Sequence, residues 1–98
     1  MKLIALYKQP ADPAAFDEAY FKNHIPLVEK VPGLLRTEIT HIRATLQGER
    51  YYMMAVLHFA DEESFKAGLN SPEMAAAGES LDSFAKGQYT LLFGAETP

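Results

Sequence analysis

Residues 51–59 read Tyr-Tyr-Met-Met-Ala-Val-Leu-His-Phe, and they are the most strongly predicted β-strand of this 98-residue chain. Successive side chains of a strand point to opposite faces of the sheet. The odd positions of this run are all apolar, and the even positions carry Tyr52, Met54, Val56 and His58. A sheet with one face in water instead alternates apolar and polar side chains. Both faces of this strand are therefore expected to be covered by protein.

A helix is predicted shortly after the first strand, which covers Leu3 to Tyr7. Asp12 is a suitable N-cap, and Pro13 suits the first helical position because the N–H that it lacks has no partner there. At 3.6 residues per turn, five side chains share one stripe that should face the sheet: Phe16, Tyr20, His24, Leu27 and Val31. Pro26 lacks an N–H for the helix, so a kink or restart is expected near His24.

The remainder of the chain supplies two more strands and a second helical region. The predicted elements are a strand at Leu34 to Arg43, a turn at Gln47-Gly48-Glu49, helix starts at Asp61 and at Ser71-Pro72, and a strand at Tyr89 to Phe93. The order is βαββαβ within one domain, residues 1–98. Right-handed crossovers and a short connection between the second and third strands lead to a four-stranded antiparallel sheet with helices on one face, the ferredoxin-like α+β fold.

The two-sided strands also predict an assembly. In the first strand Ile4 and Leu6 oppose Leu3, Ala5 and Tyr7, so this strand too is apolar on both faces. The chain has helices for only one face of the sheet. A second copy of the same sheet is the economical cover for the other, and a homodimer that closes an α/β barrel is expected. The alternation does not say which face meets the partner.

Composition excludes several classes of partner. Nine Lys and Arg residues stand against thirteen Asp and Glu residues, and the net charge of −4 gives no attraction to nucleic acid or to anionic membranes. No apolar run approaches the roughly 20 residues of a membrane helix, and the N-terminal apolar run is too short for a signal peptide. With no cysteine present, a disulfide framework is excluded. The expected location is cytoplasmic.

His24 is the most informative candidate for chemistry. It lies on the apolar helical stripe, one turn after Tyr20 and just before the Pro26 break. A titratable ring that faces the sheet there is suited to general acid–base catalysis or to hydrogen bonding with a ligand. The alternative is a buried histidine that is satisfied by a backbone carbonyl or a tyrosine hydroxyl.

The other histidines are weaker candidates. His58 shares a strand face with Met54 and Val56, so it points into protein and becomes a binding residue if that face lines a site in the barrel. His41 alternates with charged residues and is expected to be exposed. No histidine pair has the i,i+4 spacing of a helical zinc site, and no metal is predicted.

The sequence also lacks the motifs of the common cofactor sites. There is no Gly-rich phosphate loop, no Gly-x-Ser-x-Gly elbow and no Gly-x-Gly-x-x-Gly after the first strand, so no cofactor is predicted. The tyrosines, phenylalanines and methionines suit either a plain core or an adaptable apolar pocket. Tyr7 and Tyr20 are the candidates for binding an apolar small molecule beside His24.

Three segments carry a family resemblance. They are Tyr7-Lys8-Gln9-Pro10-Ala11-Asp12-Pro13 with Phe16, then Tyr20-Phe21-Lys22-Asn23-His24-Ile25-Pro26-Leu27-Val28, then Val31-Pro32-Gly33-Leu34. Together they resemble the N-terminal signature of the EthD-like proteins, and the later Ser71-Pro72-Glu73 segment is similar to theirs as well. The resemblance implies a dimeric α/β barrel. EthD itself is associated with degradation of ethyl tert-butyl ether, while many family members have no established reaction.

Two functions follow as expectations, and fold alone does not choose between them. Similar barrels include cofactor-free monooxygenases, lactone isomerases, polyketide cyclases and haem-handling proteins. The first expectation is a cofactor-independent enzyme that acts on an apolar aromatic, lactone or polyketide-like compound in a pocket between the first helix and the sheet. The second is a non-catalytic dimeric ligand-binding or accessory protein in a degradation or biosynthesis pathway. Haem ligation by His24 or His58 is a weaker third possibility.

Overall fold

The computed structural model describes all 98 residues as four strands and a set of helices. The strands are β1 (Lys2–Tyr7), β2 (Leu34–His41), β3 (Met53–Phe59) and β4 (Tyr89–Gly94). The helices are α1 (Pro13–Ala19), a π-helical turn (Tyr20–His24), α2 (Ile25–Val28), α3 (Glu62–Leu69) and α4 (Pro72–Ala85). The strands form one antiparallel sheet in the order β2-β3-β1-β4. The predicted ferredoxin-like fold is therefore confirmed.

Polar side chains cap the helices at the predicted positions. The carboxylate of Asp12 accepts a hydrogen bond from the Ala15 amide at 3.1 Å. The carboxylate of Asp61 accepts a hydrogen bond from the Ser64 amide at 2.8 Å. The hydroxyl oxygen of Ser71 accepts a hydrogen bond from the Met74 amide at 3.1 Å. Each cap satisfies an amide that has no partner inside its helix. These local bonds explain why the helices begin where the sequence predicts.

The odd-numbered side chains of β3 face the helices. Met53, Ala55, Leu57 and Phe59 are buried, while Met54, Val56 and His58 between them are partly exposed. Two packed clusters join the sheet to the helices, one around Phe16 and Tyr20 and one around Val28 and Phe65. The helices therefore cover one face of the sheet, and the even-numbered face is left open.

The helix is interrupted near His24, where Pro26 predicts a kink or restart, and it restarts as α2 at Ile25. Residues 20–24 widen into a π-helical turn, in which the Ile25 amide donates to the carbonyl of Tyr20, five residues earlier. The backbone keeps right-handed helical angles at His24 and Ile25. A π-turn shifts the hydrogen-bond register by one residue, so the helix can restart as α2 despite the missing N–H of Pro26.

The strands on either side of the β2–β3 connection are shorter than predicted. β2 stops at His41 rather than Arg43, and β3 starts at Met53 rather than Tyr51. The connection between them is therefore longer than predicted. Alternation predicts that Tyr52 shares the open face with Met54. This prediction is wrong, because Tyr52 lies outside the strand.

The side chain of Tyr52 turns toward α1 instead. Its hydroxyl donates to Asp17 at 2.8 Å, and its ring packs edge-on against Phe16 with 5.7 Å between centroids. These contacts place Tyr52 beside the core cluster on the helix side of the sheet.

The open face keeps an apolar centre. Ile4 pairs with Val56 and Leu6 pairs with Met54 across the β1–β3 ladder, and all four side chains are partly exposed. Leu92 of β4 lies beside Ile4 and is exposed. None of the helices is both long enough and apolar enough for a transmembrane span.

Candidate functional site

A small apolar cavity lies between the sheet and the helices, and it contains three of the predicted site residues. Its volume is about 70 Å³. Its lining residues are Leu3, Ala5, Tyr7, Tyr20, His24, Val28, Leu57, Met74, Ala77, Gly78, Leu81 and Leu91. The sheet forms the floor, the π-helical turn forms one end, and α4 forms a side wall. Tyr7, Tyr20 and His24 are thus brought to one place.

His24 is buried in this wall without a full set of hydrogen-bond partners. Only 5% of its surface is exposed, and its Nδ1 atom has no hydrogen-bond partner. Burial lowers the pKa of His24 below its usual value, and the backbone of Ala77 partly opposes that shift. A buried polar atom without a partner costs stability unless a water or a ligand meets it. Because its pKa lies below the usual value of 6.5, the His24 ring is a neutral imidazole near pH 7.

The two tyrosines form a buried pair beside His24. The hydroxyl of Tyr7 donates to that of Tyr20 at 3.4 Å, and their rings meet edge-on with 5.2 Å between centroids. Burial raises the pKa of Tyr20 to about 12 and that of Tyr7 further. Both hydroxyls therefore stay protonated at neutral pH, and because Tyr7 donates its one proton to Tyr20, the Tyr20 hydroxyl is the free donor of the pair.

The π-helical turn sets the positions of two of these side chains. Tyr20 and His24 are its first and last residues, and their ring centroids lie 5.2 Å apart. π-helical turns are rare and occur frequently at functional sites. Phe16 stacks on Tyr20 from the preceding turn, and Phe84 contacts the edge of His24 from α4. Aromatic packing on both sides thus fixes the two rings in the cavity wall.

The sequence reasoning missed the contribution of α4. Four residues of this helix line the cavity at spacings of three and four: Met74, Ala77, Gly78 and Leu81. That spacing marks one face of a helix and is visible in the sequence. The pocket was predicted between the first helix and the sheet, whereas the structure adds α4 as a wall and Leu91 of β4 at the rim.

His58 lies apart from the cavity, on the open face of the sheet. Its Nε2 atom contacts the Glu38 carboxylate, and this contact holds the pKa of Glu38 below its usual value. Arg36 approaches the same carboxylate at 3.4 Å. The structure therefore separates His58 from Tyr7, Tyr20 and His24 and gives it a polar cluster of its own.

His41 is exposed, as predicted, and pairs with α1. Its Nε2 atom lies 3.2 Å from the Asp17 carboxylate. The same carboxylate accepts the Tyr52 hydroxyl bond, so Asp17 ties α1 to both ends of the β2–β3 connection. No group of three or more His, Asp or Glu side chains is arranged to hold a metal ion.

The cavity combines one neutral base, His24, with one free hydroxyl donor, Tyr20, in apolar surroundings. No Lys, Arg, Asp or Glu residue lines it. A neutral imidazole can accept a proton, and buried hydroxyls can hydrogen-bond to the oxygen on which charge develops. The arrangement is thus suited to binding an uncharged molecule and to moving a proton on it.

Several solved structures share this fold. An ethyl tert-butyl ether d (EthD) family protein from Bacillus halodurans is 41% identical, with a TM-score of 0.91 over 98% of this chain and 97% of that chain. A dimeric ferredoxin-like protein of unknown function from Thermobifida fusca is 17% identical, with a TM-score of 0.68 over 93% of this chain and 85% of that one. SnoaB, a cofactor-independent oxygenase from Streptomyces nogalater, is also 17% identical, with a TM-score of 0.62 over 98% and 93%. The last two likenesses show the fold alone.

Sequence comparison identifies the family. The chain is 35% identical over 94 residues to an uncharacterized 11.0 kDa protein in the thcB-thcC intergenic region of Rhodococcus erythropolis, which covers 94% of this chain and 90% of that protein. The model of the EthD domain matches residues 8–87. The resemblance inferred from residues 7–34 and 71–73 is therefore confirmed, and the chain belongs to the EthD family.

Proposed function

We propose that this protein binds an apolar small molecule in the cavity and that His24 exchanges a proton with it. The observation that carries the proposal is the buried His24 Nδ1 atom, which has no partner in a cavity wall without charged side chains. A ligand oxygen or an acidic C–H group there would supply that partner. The proposed substrates are aromatic, lactone or polyketide-like compounds.

The proposed reaction is a proton transfer that needs no cofactor. Neutral His24 takes a proton from a carbon next to a carbonyl group of the substrate. The electron pair of that C–H bond forms a C=C bond, and the π pair of the carbonyl moves to its oxygen. The hydroxyl of Tyr20, which accepts from Tyr7 and keeps its own proton free, is the nearby donor for the resulting enolate. Return of the proton to the same carbon exchanges it, and in a substrate with a β,γ double bond its return to the γ-carbon of the dienolate gives the conjugated isomer. All atoms and charges balance without a further reactant.

The fold likeness to SnoaB fits a site that works without a cofactor. SnoaB is described as a cofactor-independent oxygenase. A protein that works without a cofactor depends on its own side chains to remove or add protons. In this chain His24 is the one residue in the cavity wall that can act as a base near neutral pH.

A paired substitution tests the proposal. His24→Gln keeps a polar side chain of similar reach but removes the titratable ring, and His41→Gln makes the same change on the surface. Both variants and the parent would be incubated with a panel of β-dicarbonyl, lactone and hydroxyaromatic compounds in deuterated water. We expect deuterium to enter the substrate with the parent and with His41→Gln. Exchange by His24→Gln equal to that of the parent would exclude a proton-transfer role.

Ligand binding without turnover is the alternative function. It is favoured by the small set of titratable groups in the cavity wall, which consists of His24 and two tyrosines that hold their protons. In this case His24 accepts or donates a hydrogen bond and never changes its protonation state. Native mass spectrometry of the purified protein would detect a retained compound. Binding that persists beside absent deuterium exchange would assign the protein to this second class.

We propose in addition that the protein works as a homodimer through its open sheet face. Ile4, Leu6, Met54 and Val56 form a contiguous apolar surface that no element of this chain covers. A second copy brings an identical surface, as isologous dimers require. The structural relative from Thermobifida fusca is described as dimeric, which fits this proposal.

A further inference from the structure

Gly78 lies in the interior of α4, where glycine is among the least favourable residues. Its backbone gives no reason for a glycine, because its φ is not positive. Packing gives none either, because a Cβ atom added there would have no atom outside its own helix within 4 Å. The contrast is Gly68, where a Cβ would come within 2.8 Å of the Phe59 ring. Neither backbone conformation nor packing therefore explains why residue 78 is a glycine.

The position of Gly78 supplies an explanation. It is exposed to solvent and at the same time lines the cavity, so it lies at the rim rather than in the deep wall. Leu91 lines the same cavity from the edge strand β4, and 51% of its surface is exposed. An opening between α4 and β4 follows from these two placements. A side chain at residue 78 would narrow it.

The polar atoms of the cavity belong to buried side chains. His24, Tyr7 and Tyr20 are each at least 95% buried, whereas Gly78 and Leu91 are exposed. The rest of the lining is apolar, including Ala77, Leu81 and Leu3. No charged side chain lines the cavity, so a ligand carboxylate or ammonium group would lose its hydration there without gaining an ion pair. The chemistry of the lining favours an uncharged molecule.

We infer that Gly78 is the entrance of the cavity and that its ligand is a neutral molecule that enters with a hydroxyl or carbonyl end first. This inference rests on the proposed function and adds the ligand's charge, its orientation and a residue that sets access. The oxygen of the leading end meets Tyr7, Tyr20 and His24. The apolar remainder extends past Gly78 along Leu91, and Phe93 on the same side of β4 continues that exposed apolar surface.

A series of 4-alkylphenols tests ligand class and orientation. Titration calorimetry with 4-methylphenol, 4-ethylphenol and 4-propylphenol should show affinity rising by roughly threefold to fourfold for each added CH₂ group, as apolar burial at the rim requires. The charged analogue 4-propylbenzoate, of nearly the same shape, should bind at least tenfold more weakly than 4-propylphenol. Equal binding of the benzoate would overturn the neutral-ligand assignment.

Substitution at the entrance tests the role of Gly78. Gly78→Leu should weaken 4-propylphenol binding at least tenfold, and Gly78→Ala should weaken it less. Ala75→Leu is the matched control, because it adds a leucine to an exposed position of α4 that does not line the cavity. It should bind like the parent. Circular dichroism would confirm that all three variants fold, as expected for solvent-facing helix positions.

The outcomes separate the two proposals. If the parent binds the phenols and Gly78→Leu binds them equally well, the entrance is wrong while the cavity proposal stands. If the parent binds none of the phenols and none of the compounds in the wider panel, the proposed function is wrong. Loss of binding in both Gly78→Leu and Ala75→Leu would also contradict the entrance, since the effect would then not depend on the rim.

Discussion

The ring of His24 lies 5.2 Å from the ring of Tyr20, and one π-helical turn contains both residues. The turn positions a titratable ring inside the protein while leaving its Nδ1 atom without a partner. This arrangement costs folding free energy. Sites that are retained at a cost to stability are often functional, so a substitution that removes the cost should stabilise the protein.

His24→Phe should raise the free energy of unfolding by about 1 kcal/mol at pH 7, because it removes an unsatisfied buried polar atom. The adjacent cavity can take up the additional ring volume. Urea unfolding of the parent and the variant measures the difference. A variant that is less stable than the parent at pH 7 would show that the Nδ1 atom is satisfied in solution.

The difference in unfolding free energy between His24→Phe and the parent should also depend on pH. Burial lowers the pKa of His24 in the folded state below its usual value of 6.5. As pH falls below 6.5 the unfolded chain takes up a proton at His24 before the folded protein does, so the parent loses stability by at most about 1.4 kcal/mol per pH unit. His24→Phe lacks this loss, and its advantage should widen between pH 7 and pH 5. His41→Gln, which changes an exposed ring, should keep the parent's loss at His24.

The two glycines of α3 and α4 should respond to alanine in opposite directions. Gly68→Ala places a Cβ 2.8 Å from the Phe59 ring and 3.1 Å from the Pro32 carbonyl oxygen, and overpacking of this kind costs about 1–3 kcal/mol. Gly78→Ala meets no atom outside its own helix and should stabilise α4 by about 0.5–1 kcal/mol. Thermal unfolding of both variants measures the difference. Equal shifts in Tm would contradict the distinction between a packed and a rim glycine.

Asp17 should stabilise the β2–β3 connection through its hydrogen bond from Tyr52. Tyr52→Phe keeps the ring contact with Phe16 and removes only the 2.8 Å hydroxyl bond, which should cost about 1 kcal/mol. Tyr51→Phe is the control, because its hydroxyl bonds to Glu49 on the exposed surface. Urea unfolding should show a loss for Tyr52→Phe and a smaller change for Tyr51→Phe. Equal losses would show that the Tyr52–Asp17 hydrogen bond stabilises the protein no more than the exposed Tyr51–Glu49 hydrogen bond does.

The fold was largely predictable because its signals are local. Alternation in residues 51–59 identified the central strand, and the caps at Asp12, Asp61 and Ser71 identified the helix starts. Tyr52 was assigned to the wrong face because alternation holds only inside a strand, and the strand begins one residue later. The restart near His24 was predicted from Pro26, but its form, a π-helical turn at Tyr20–His24, was not, because a missing N–H does not specify how the preceding helix adjusts.

The site was predictable only in part because it depends on contacts distant in sequence. The helical stripe identified Tyr20 and His24, and β1 supplied Tyr7. The wall formed by α4 depends on how that helix crosses the sheet, which no local pattern states. His58 has the same residue type as His24, and only the identity of the two sheet faces places it outside the cavity.

The final prediction concerns the open sheet face. Met54 and Leu57 lie on opposite faces of β3, and Met54 is partly exposed while Leu57 is buried under the helices. Met54→Lys should leave the subunit folded and shift a dimer toward monomer, because a buried lysine at the interface has no partner charge.

Leu57→Lys should instead unfold the subunit, since it buries a charge in the core at a cost of several kcal/mol. Sedimentation velocity at micromolar concentration, together with circular dichroism, separates the two effects. The parent should sediment as a dimer, and Met54→Lys should sediment as a folded monomer because only the open face has lost its apolar match. A parent that is monomeric at this concentration, or a Met54→Lys variant that remains dimeric, would show that Ile4, Leu6, Met54 and Val56 do not form the interface.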